Sequence, residues 1–421
     1  MEVNRNSTKT RAEIDIPGSK SLTHRALIIA ALAEGESRIR QPLICEDTSL
    51  TIEALQKLGA EINLENGDVI VTGTGGRLNE SGPGPEIDLK NSGTSMRLLT
   101  SVAALSPGAW TLTGNERMQT RPIEPLIKAL SELGAKAQTL HNTECPPVRI
   151  QGGGIKGGTT RISASKSSQF LSSLLLSSPY SQQDVTIEVN DSVASWPYVE
   201  LTLAMMEAFG VKVERQGRNW FRIPAGQRYK GRKIDIEGDC SSAAYFWAAA
   251  AVTGGYVVTR HIKPFSLQPD FRFLDILSIM GSEVVLGRNW VAVQGGPLSG
   301  IDVDMNTMPD QVPTLAVLAA LGGGRTLIRN VAHLHYKESD RLVDLGAELT
   351  KLGVSVKVKQ DGLEIEGGNM NDGTIDPHHD HRLAMSFAVA QLVKPGINIL
   401  DPDCVVKSFP NFWELFKELT P

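Results

Sequence analysis

An α/β fold of two similar domains, each built from three repeated strand-and-helix units, is what this sequence predicts, on three observations. The chain has 421 residues, more than one ordinary domain holds, which points to two globules of about 200 residues each. An apolar residue, a glycine and a small residue recur as Leu58-Gly59-Ala60, Leu133-Gly134-Ala135, Phe209-Gly210-Val211, Met280-Gly281-Ser282 and Leu352-Gly353-Val354, at intervals of 71 to 76 residues. Six short polar loops, spaced through the same frame, each lead into an apolar run.

The elements follow from this frame in chain order. A first strand, Ala12 to Ile16, precedes the first loop and can belong to either half. The six loops are Pro17 to Ser21, Asn91 to Ser95, Ser163 to Gln169, Glu237 to Ser241, Met308 to Gln311 and Asp376 to Arg382. Their Ser and Asp residues are preferred helix N-caps. The runs behind them, such as Leu27 to Leu32, Leu171 to Leu176 and Leu315 to Leu321, are apolar on most sides and predict buried helices. A second helix in each unit closes on the recurring glycine, which takes the left-handed conformation of a C-terminal cap. Alternating stretches after it, Val211 to Glu214 and Val354 to Val358, predict strands. The sixth unit ends at its second helix, Phe412 to Leu419. The boundary between halves falls near Gly238, where the fourth unit begins.

Composition excludes several functions. The chain is 41% apolar and 21% charged, ordinary for a globular protein, and its net charge of -5 argues against a nucleic-acid binder. No run of 18 apolar residues exists; Ala243 to Val252 is cut short by Gly254 and Gly255 and fits a buried helix. Met1 to Arg11 is polar and mixed in charge, unlike a secretory signal. Cys45, Cys145, Cys240 and Cys404 lie far apart without a Cys-x-x-Cys pair, as expected of reduced thiols in a cytoplasmic protein.

The chemistry lies in the loops. Helix N-termini present backbone N–H groups and a positive dipole end, which suit phosphate and carboxylate. Capping accounts for the Ser and Asp residues but not for the cations placed with them: Lys20 and Arg25, Arg97, Lys166 and Arg382. Arg121, Lys337, Arg341 and Lys407 stand ahead of second helices. Repetition at equivalent positions points to anion sites rather than solvated charges. Two acids, Asp310 and Glu338, sit among these cations; each has an ordinary reading as an N-cap or first-turn acid and a chemical one as a proton acceptor. Other patterns lead nowhere. No P-loop is present, and Ser163-Ala164-Ser165-Lys166 lacks its companion Lys-Thr-Gly. Gly152-Gly153-Gly154 is a turn rather than a dinucleotide fingerprint. His378-His379-Asp380-His381 has the look of metal ligands, but neighbouring histidines in a capping loop face different ways, and no metal is expected.

The same loops resemble the 5-enolpyruvylshikimate-3-phosphate synthase family. The matching segments are Pro17-Gly18-Ser19-Lys20-Ser21 with His24-Arg25-Ala26, Asn91 to Arg97, Gly114 to Met118 with Arg121-Pro122, Ser167-Ser168-Gln169-Phe170, Ser195-Trp196-Pro197-Tyr198, Pro309-Asp310, Lys337 to Arg341, Asp380-His381-Arg382 and Lys407 to Pro410. The resemblance implies an inverse α/β barrel-like fold of two three-unit domains with the active site in the interdomain cleft. The chain would begin in the C-terminal domain, so that residues 20–237 form one domain and 1–19 with 238–421 the other. It implies transfer of the enolpyruvyl group of phosphoenolpyruvate to the 5-hydroxyl of shikimate 3-phosphate. Ser21, Arg25, Ser167, Ser168, Ser195, Tyr198 and Lys337 resemble shikimate 3-phosphate ligands. Lys20, Gly93, Arg121, Arg341, Arg382 and Lys407 resemble the phosphoenolpyruvate set, Gln169 would touch both, and Asn91 joins the binding residues. The catalytic residues would be Asp310 for the 5-hydroxyl proton, Glu338 for the methylene proton, and Lys20.

Three positions depart from the family's habit: His333 where Asn is frequent, Lys90 where Gly is common, and Leu98 where Pro is common. The rival reading is the sister enolpyruvyl transferase acting on UDP-N-acetylglucosamine. Its mobile loop usually carries a Cys five residues before the Arg-Pro pair, where this chain has Glu116. A binder of dianions without catalysis is a second rival, and gains nothing from acids set among its cations. The expected partners are the two small substrates, with no cofactor, no nucleic acid and no membrane, and a monomer is expected.

Overall fold

The computed structural model describes residues 10–79 and 86–419; most of the Met1 to Arg11 stretch read above lies outside the described residues. Among these residues the chain forms two compact units. One comprises residues 18–236 with 336–338, the other residues 10–17, 237–335 and 339–419. These bounds differ from the expected ones by one or two residues at each crossing, and by the tripeptide Tyr336 to Glu338, which groups with the first unit.

In the 18–236 unit, three helices that follow polar loops are α1 (Lys20–Leu32), α3 (Gly93–Ala103) and α5 (Ser168–Ser177); those closing on the recurring glycine are α2 (Glu46–Lys57), α4 (Glu124–Glu132) and α6 (Pro197–Ala208). The first set is apolar nearly all round and is buried: every residue of α1 from Thr23 to Leu32 is buried. Three four-stranded sheets lie outside them. In one, Gly158–Ile162 runs parallel to Val185–Val189, which pairs antiparallel with Trp220–Ile223, itself antiparallel to Glu214–Gln216. A parallel pair needs a crossover, and α5 supplies it. Val185–Val189 buries alternate residues, the mark of a sheet with one covered face. Among the described residues each sheet is separate and none closes, so helices fill the interior that a closed barrel would give to strands.

The other unit repeats the plan with α7 (Cys240–Thr253), α9 (Val312–Leu321) and α11 (His381–Gln391) packed together inside, and α8 (Phe273–Met280), α10 (Arg341–Lys351) and α12 (Phe412–Lys417) beside them. Among the described residues its last sheet has two strands, Gly373–Ile375 and Ile397–Ile399, paired in parallel. The first strand, Arg11–Asp15, which the resemblance grouped with 238–421, pairs in parallel with Tyr256–Arg260. Its counterpart Lys233–Asp235 pairs with Glu36–Arg40, so the leading strands of two sheets come from distant parts of the chain.

The five recurring glycines all have positive φ, from 80° to 120°, as a left-handed helix end requires. One strand expectation fails. Val211 to Val213 stay outside the sheet, and the strand begins at Glu214. The Gln227 amide accepts from the Lys212 N–H at 2.8 Å and donates to its carbonyl at 2.9 Å, which satisfies the backbone groups a ladder would need. Among the described residues no helix is long and apolar enough to cross a membrane.

Candidate active site

Two clusters of charged side chains form at helix N-termini, one in each unit. In the 18–236 unit, Lys20 opens α1 and pairs with the buried Asp47 at 3.0 Å. Arg25, one turn on, donates to Thr202 Oγ1 at 2.8 Å, to the Ser21 carbonyl at 2.8 Å and to the Tyr198 carbonyl at 3.0 Å. Arg97 donates to Gln169 Oε1 at 3.0 Å and the Pro122 carbonyl at 3.2 Å, while the Gln169 amide donates to Thr94. Both guanidiniums are buried and bonded to neutral oxygens. Burial pushes Arg25 down to about 10 and Arg97 to about 9, the latter also through repulsion by Arg121. A desolvated cation among neutral acceptors is a standing attraction for an anion.

Arg121 follows a one-turn 3-10 helix, Met118–Thr120, and is buried at 3% exposure. Its Nη1 donates to the Asn91 carbonyl and Oδ1, each at 3.1 Å, its Nη2 lies 3.6 Å from Glu338, and its Nε has no partner among the described residues. Gly93 starts α3 beneath this guanidinium: a Cβ there would lie 2.4 Å from Arg121 Nη2. Arg117 donates to the Lys337 carbonyl at 3.0 Å, and the Lys166 ammonium sits 5.4 Å from the centre of the Tyr336 ring, so the Tyr336 to Glu338 segment is held by three cations. Ser167 caps α5 by accepting from the Gln169 N–H, and Ser168 is buried behind it. Ser195 has φ 57°, a left-handed conformation strained for a residue with a Cβ, and its carbonyl accepts from the Tyr198 N–H at the start of α6.

In the other unit the centre is Asp310, in the one-turn helix Pro309–Gln311. Arg341 Nη1 reaches its Oδ1 at 3.0 Å and Arg382 Nη2 its Oδ2 at 2.9 Å. Asp380 caps α11 through the Arg382 N–H and also holds Arg341, with Nε at 2.7 Å and Nη2 at 3.2 Å. Arg382 lies 3.5 Å from the Tyr245 hydroxyl, and burial pushes that phenol up to about 12. Lys407 is buried at the end of the 3-10 helix Pro402–Lys407, which packs on α11. His333 is buried in the 3-10 helix Ala332–Tyr336.

The ordinary readings of the two acids do not hold. The N-cap of α9 is Gln311, without a side-chain cap, and the Asp310 oxygens go to arginines instead. Glu338 precedes the N-cap of α10, Asp340, and is no first-turn acid. The adjacent histidines diverge as expected: His378 bonds Glu348 at 2.9 Å and His379 bonds Asp401 at 2.7 Å. Among the described residues no group of three or more His, Cys, Asp or Glu is placed to hold a metal ion. Sequence reading missed Asp47, Tyr245 and Asp380 as partners and left Arg97 without a role. Asp380 and Arg97 stand inside segments already singled out, whereas nothing in the pattern marks Asp47 or Tyr245.

A family model described as EPSP synthase (3-phosphoshikimate 1-carboxyvinyltransferase) matches residues 4–416. A 3-phosphoshikimate 1-carboxyvinyltransferase of Syntrophobacter fumaroxidans is 47% identical over 412 residues, covering 97% of each chain. The protein of the same name from Methanosphaerula palustris is 48% identical over 400 residues, covering 94% of each. Among solved structures, an EPSP synthase from Acinetobacter baumannii matches with a TM-score of 0.81 at 30% identity, over 98% of this chain and 96% of its own. With its cation-lined helix ends, its arginine-held carboxylate and this match from end to end, the chain belongs to the EPSP synthase (3-phosphoshikimate 1-carboxyvinyltransferase) family.

Proposed function

We propose that the two clusters carry out the family's reaction, transfer of the enolpyruvyl group of phosphoenolpyruvate to the 5-hydroxyl of shikimate 3-phosphate with release of phosphate. Membership of the family makes the chain a transferase of aromatic amino-acid biosynthesis through the shikimate pathway. The observation that supports the residue roles best is Asp310, a carboxylate held by two arginines and not spent on a helix cap.

Both substrates carry a phosphate and a carboxylate, so their mutual repulsion has to be cancelled by fixed cations before they react. Lys20, Gly93, Arg121, Arg341, Arg382 and Lys407 are assigned to phosphoenolpyruvate. Ser21, Arg25, Ser167, Ser168, Ser195, Tyr198 and Lys337 are assigned to shikimate 3-phosphate, with Gln169 touching both and Asn91 holding Arg121. Glu338 delivers a proton to the methylene carbon, the 5-hydroxyl oxygen bonds to the cationic carbon that results, and Asp310 takes the hydroxyl proton. The tetrahedral adduct then expels phosphate, whose charge the Lys20 ammonium offsets. Glu338 recovers a methyl proton, and the double bond returns. The sister reaction on UDP-N-acetylglucosamine is not favoured: the family match lies elsewhere, and Glu116 stands where that enzyme usually has its Cys.

The test is phosphate release from phosphoenolpyruvate. Release should depend on shikimate 3-phosphate, and UDP-N-acetylglucosamine should not replace it. Asp310→Asn and Glu338→Gln should each lower turnover by about two to four powers of ten, the size of a general acid–base contribution, with little change in shikimate 3-phosphate binding. Turnover within a few-fold of the parent in either amide would remove that acid from the mechanism.

A further inference from the structure

A second carboxylate, Asp270, is buried in the same unit as Asp310 and has no role in the reaction described so far. Asp270 lies in the 3-10 helix Pro269–Arg272, which packs on α7, and is 1% exposed. Its Oδ2 accepts from the Ser241 hydroxyl in the first turn of α7, and its Oδ1 has no partner among the described residues. Ser241 and Tyr245 are four residues apart on α7 and share a face. Tyr245 touches Arg382, and Arg382 holds Asp310. One turn of helix therefore links Asp270 to the arginine clamp.

A buried acid with half its acceptor capacity unused is costly to the fold. Its charge acts on what lies near. We propose that Asp270 is a positioning residue for the transfer reaction, whose negative charge offsets part of the Arg382 field and keeps Asp310 basic enough to take the 5-hydroxyl proton. This rests on Asp310 serving as the base. Two guanidiniums hold a carboxylate ionised and weaken it as a proton acceptor; a nearby negative charge opposes both effects.

The groups facing Asp270 bear on when that charge exists. Ser241, by its hydrogen bond, and Arg382 favour the ionised form. Asp310 and Asp239 oppose it, and burial opposes it most, so that the carboxyl is pushed up from 3.8 to about 6. Arg272 lies on the same short helix, and the neighbouring Cys240 thiol is raised well above its usual range by burial. Asp270 is thus charged above about pH 6 and neutral below it. Its help to Asp310 is present on the alkaline side and lost as the pH falls.

The experiment is Asp270→Asn, with turnover for phosphate release measured from about pH 5 to about pH 8. At pH 8 the variant should turn over about ten-fold more slowly, a part of the general-base contribution, with KM for both substrates within about two-fold of the parent. The parent-to-variant ratio should shrink toward one near pH 5, where the parent's own Asp270 is neutral. A ratio that stays the same across the range, or near one throughout, overturns the proposal, since a structural role has no reason to vanish in acid. Ser241→Ala serves if Asp270→Asn does not fold. It removes the hydrogen bond that favours the charge, so the pH at which turnover falls should move upward, and no movement overturns the proposal. Asp310→Asn separates the two ideas: full activity there sinks the base assignment itself, whereas a large loss there with a flat Asp270 ratio sinks only the role of Asp270.

Discussion

A single hydrogen at Gly93 decides where Arg121 sits. A Cβ would lie 2.4 Å from Nη2 and 2.7 Å from Cζ, closer than atoms pack, so the guanidinium would have to swing away. Gly93→Ala should raise KM for phosphoenolpyruvate about ten- to a hundred-fold, as expected for losing a hydrogen bond to a charged group, and leave the melting temperature close to the parent's. A steady-state titration of phosphoenolpyruvate reads this, and an unchanged KM would show that Arg121 does not hold that substrate. At Asp270 the same scale carries a stability consequence. Its folded-state affinity for a proton is raised, so the residue adds stability below its ordinary value of 3.8 and costs stability above about 6. Asp270→Asn should therefore be more stable than the parent at pH 8, by at most about 3 kcal/mol, with the gain fading between about pH 6 and about pH 4. Thermal unfolding at several pH values checks it; a gain that does not fade in acid contradicts the assignment. The residue would then illustrate the usual exchange of stability for activity.

The helices were legible because two local signals agree. Apolar runs behind small polar residues marked α1, α5 and α9, and glycines marked the ends of α2, α4, α6, α8 and α10. Side-chain capping was legible only in part: Ser92, Ser167, Asp239 and Asp380 cap their helices, while Ser19 and Gln311 do not. The end glycines also differ in ways the pattern hides. Gly210 has φ 90° and open space around a would-be Cβ, whereas Gly281 has φ 120° and the Pro297 carbonyl oxygen at 2.4 Å. Gly210→Ala should cost about 1–2 kcal/mol from left-handed strain alone. Gly281→Ala should cost at least about twice that, because a backbone oxygen cannot move aside as a flexible side chain can. Denaturant unfolding of the two variants compares them directly, and equal losses would mean that the Pro297 segment yields freely.

At the scale of the whole molecule, each unit has its own apolar core, and the first strand serves the one that is distant in sequence. Ile14 is inaccessible within the 237–419 core. Ile14→Asp buries an unpaired charge there and should cost about 3 kcal/mol or more. The loss should be confined: amide exchange should quicken in Tyr256–Arg260 and α7 while Val185–Val189 and α5 keep their protection. Equal quickening in both units would show that they unfold as one.

The sequence by itself determined the repeat, the helix ends, the family and the short list of cations and acids, because these reside in local spacing and in residue types that only a few chemistries need. It left open where Ala12 to Ile16 would pair, since a strand's alternation names its buried face but not its neighbour. Tertiary structure decided that pairing with Tyr256–Arg260. It likewise decided that Gln227 would replace a ladder at Lys212, and that Asp310 would face Arg341 and Arg382 rather than cap a helix. Hydrogen-bond partners and the field at a buried carboxylate depend on side chains far apart in the chain, such as Asp270, Ser241 and Arg382, and only the packed core brings those together.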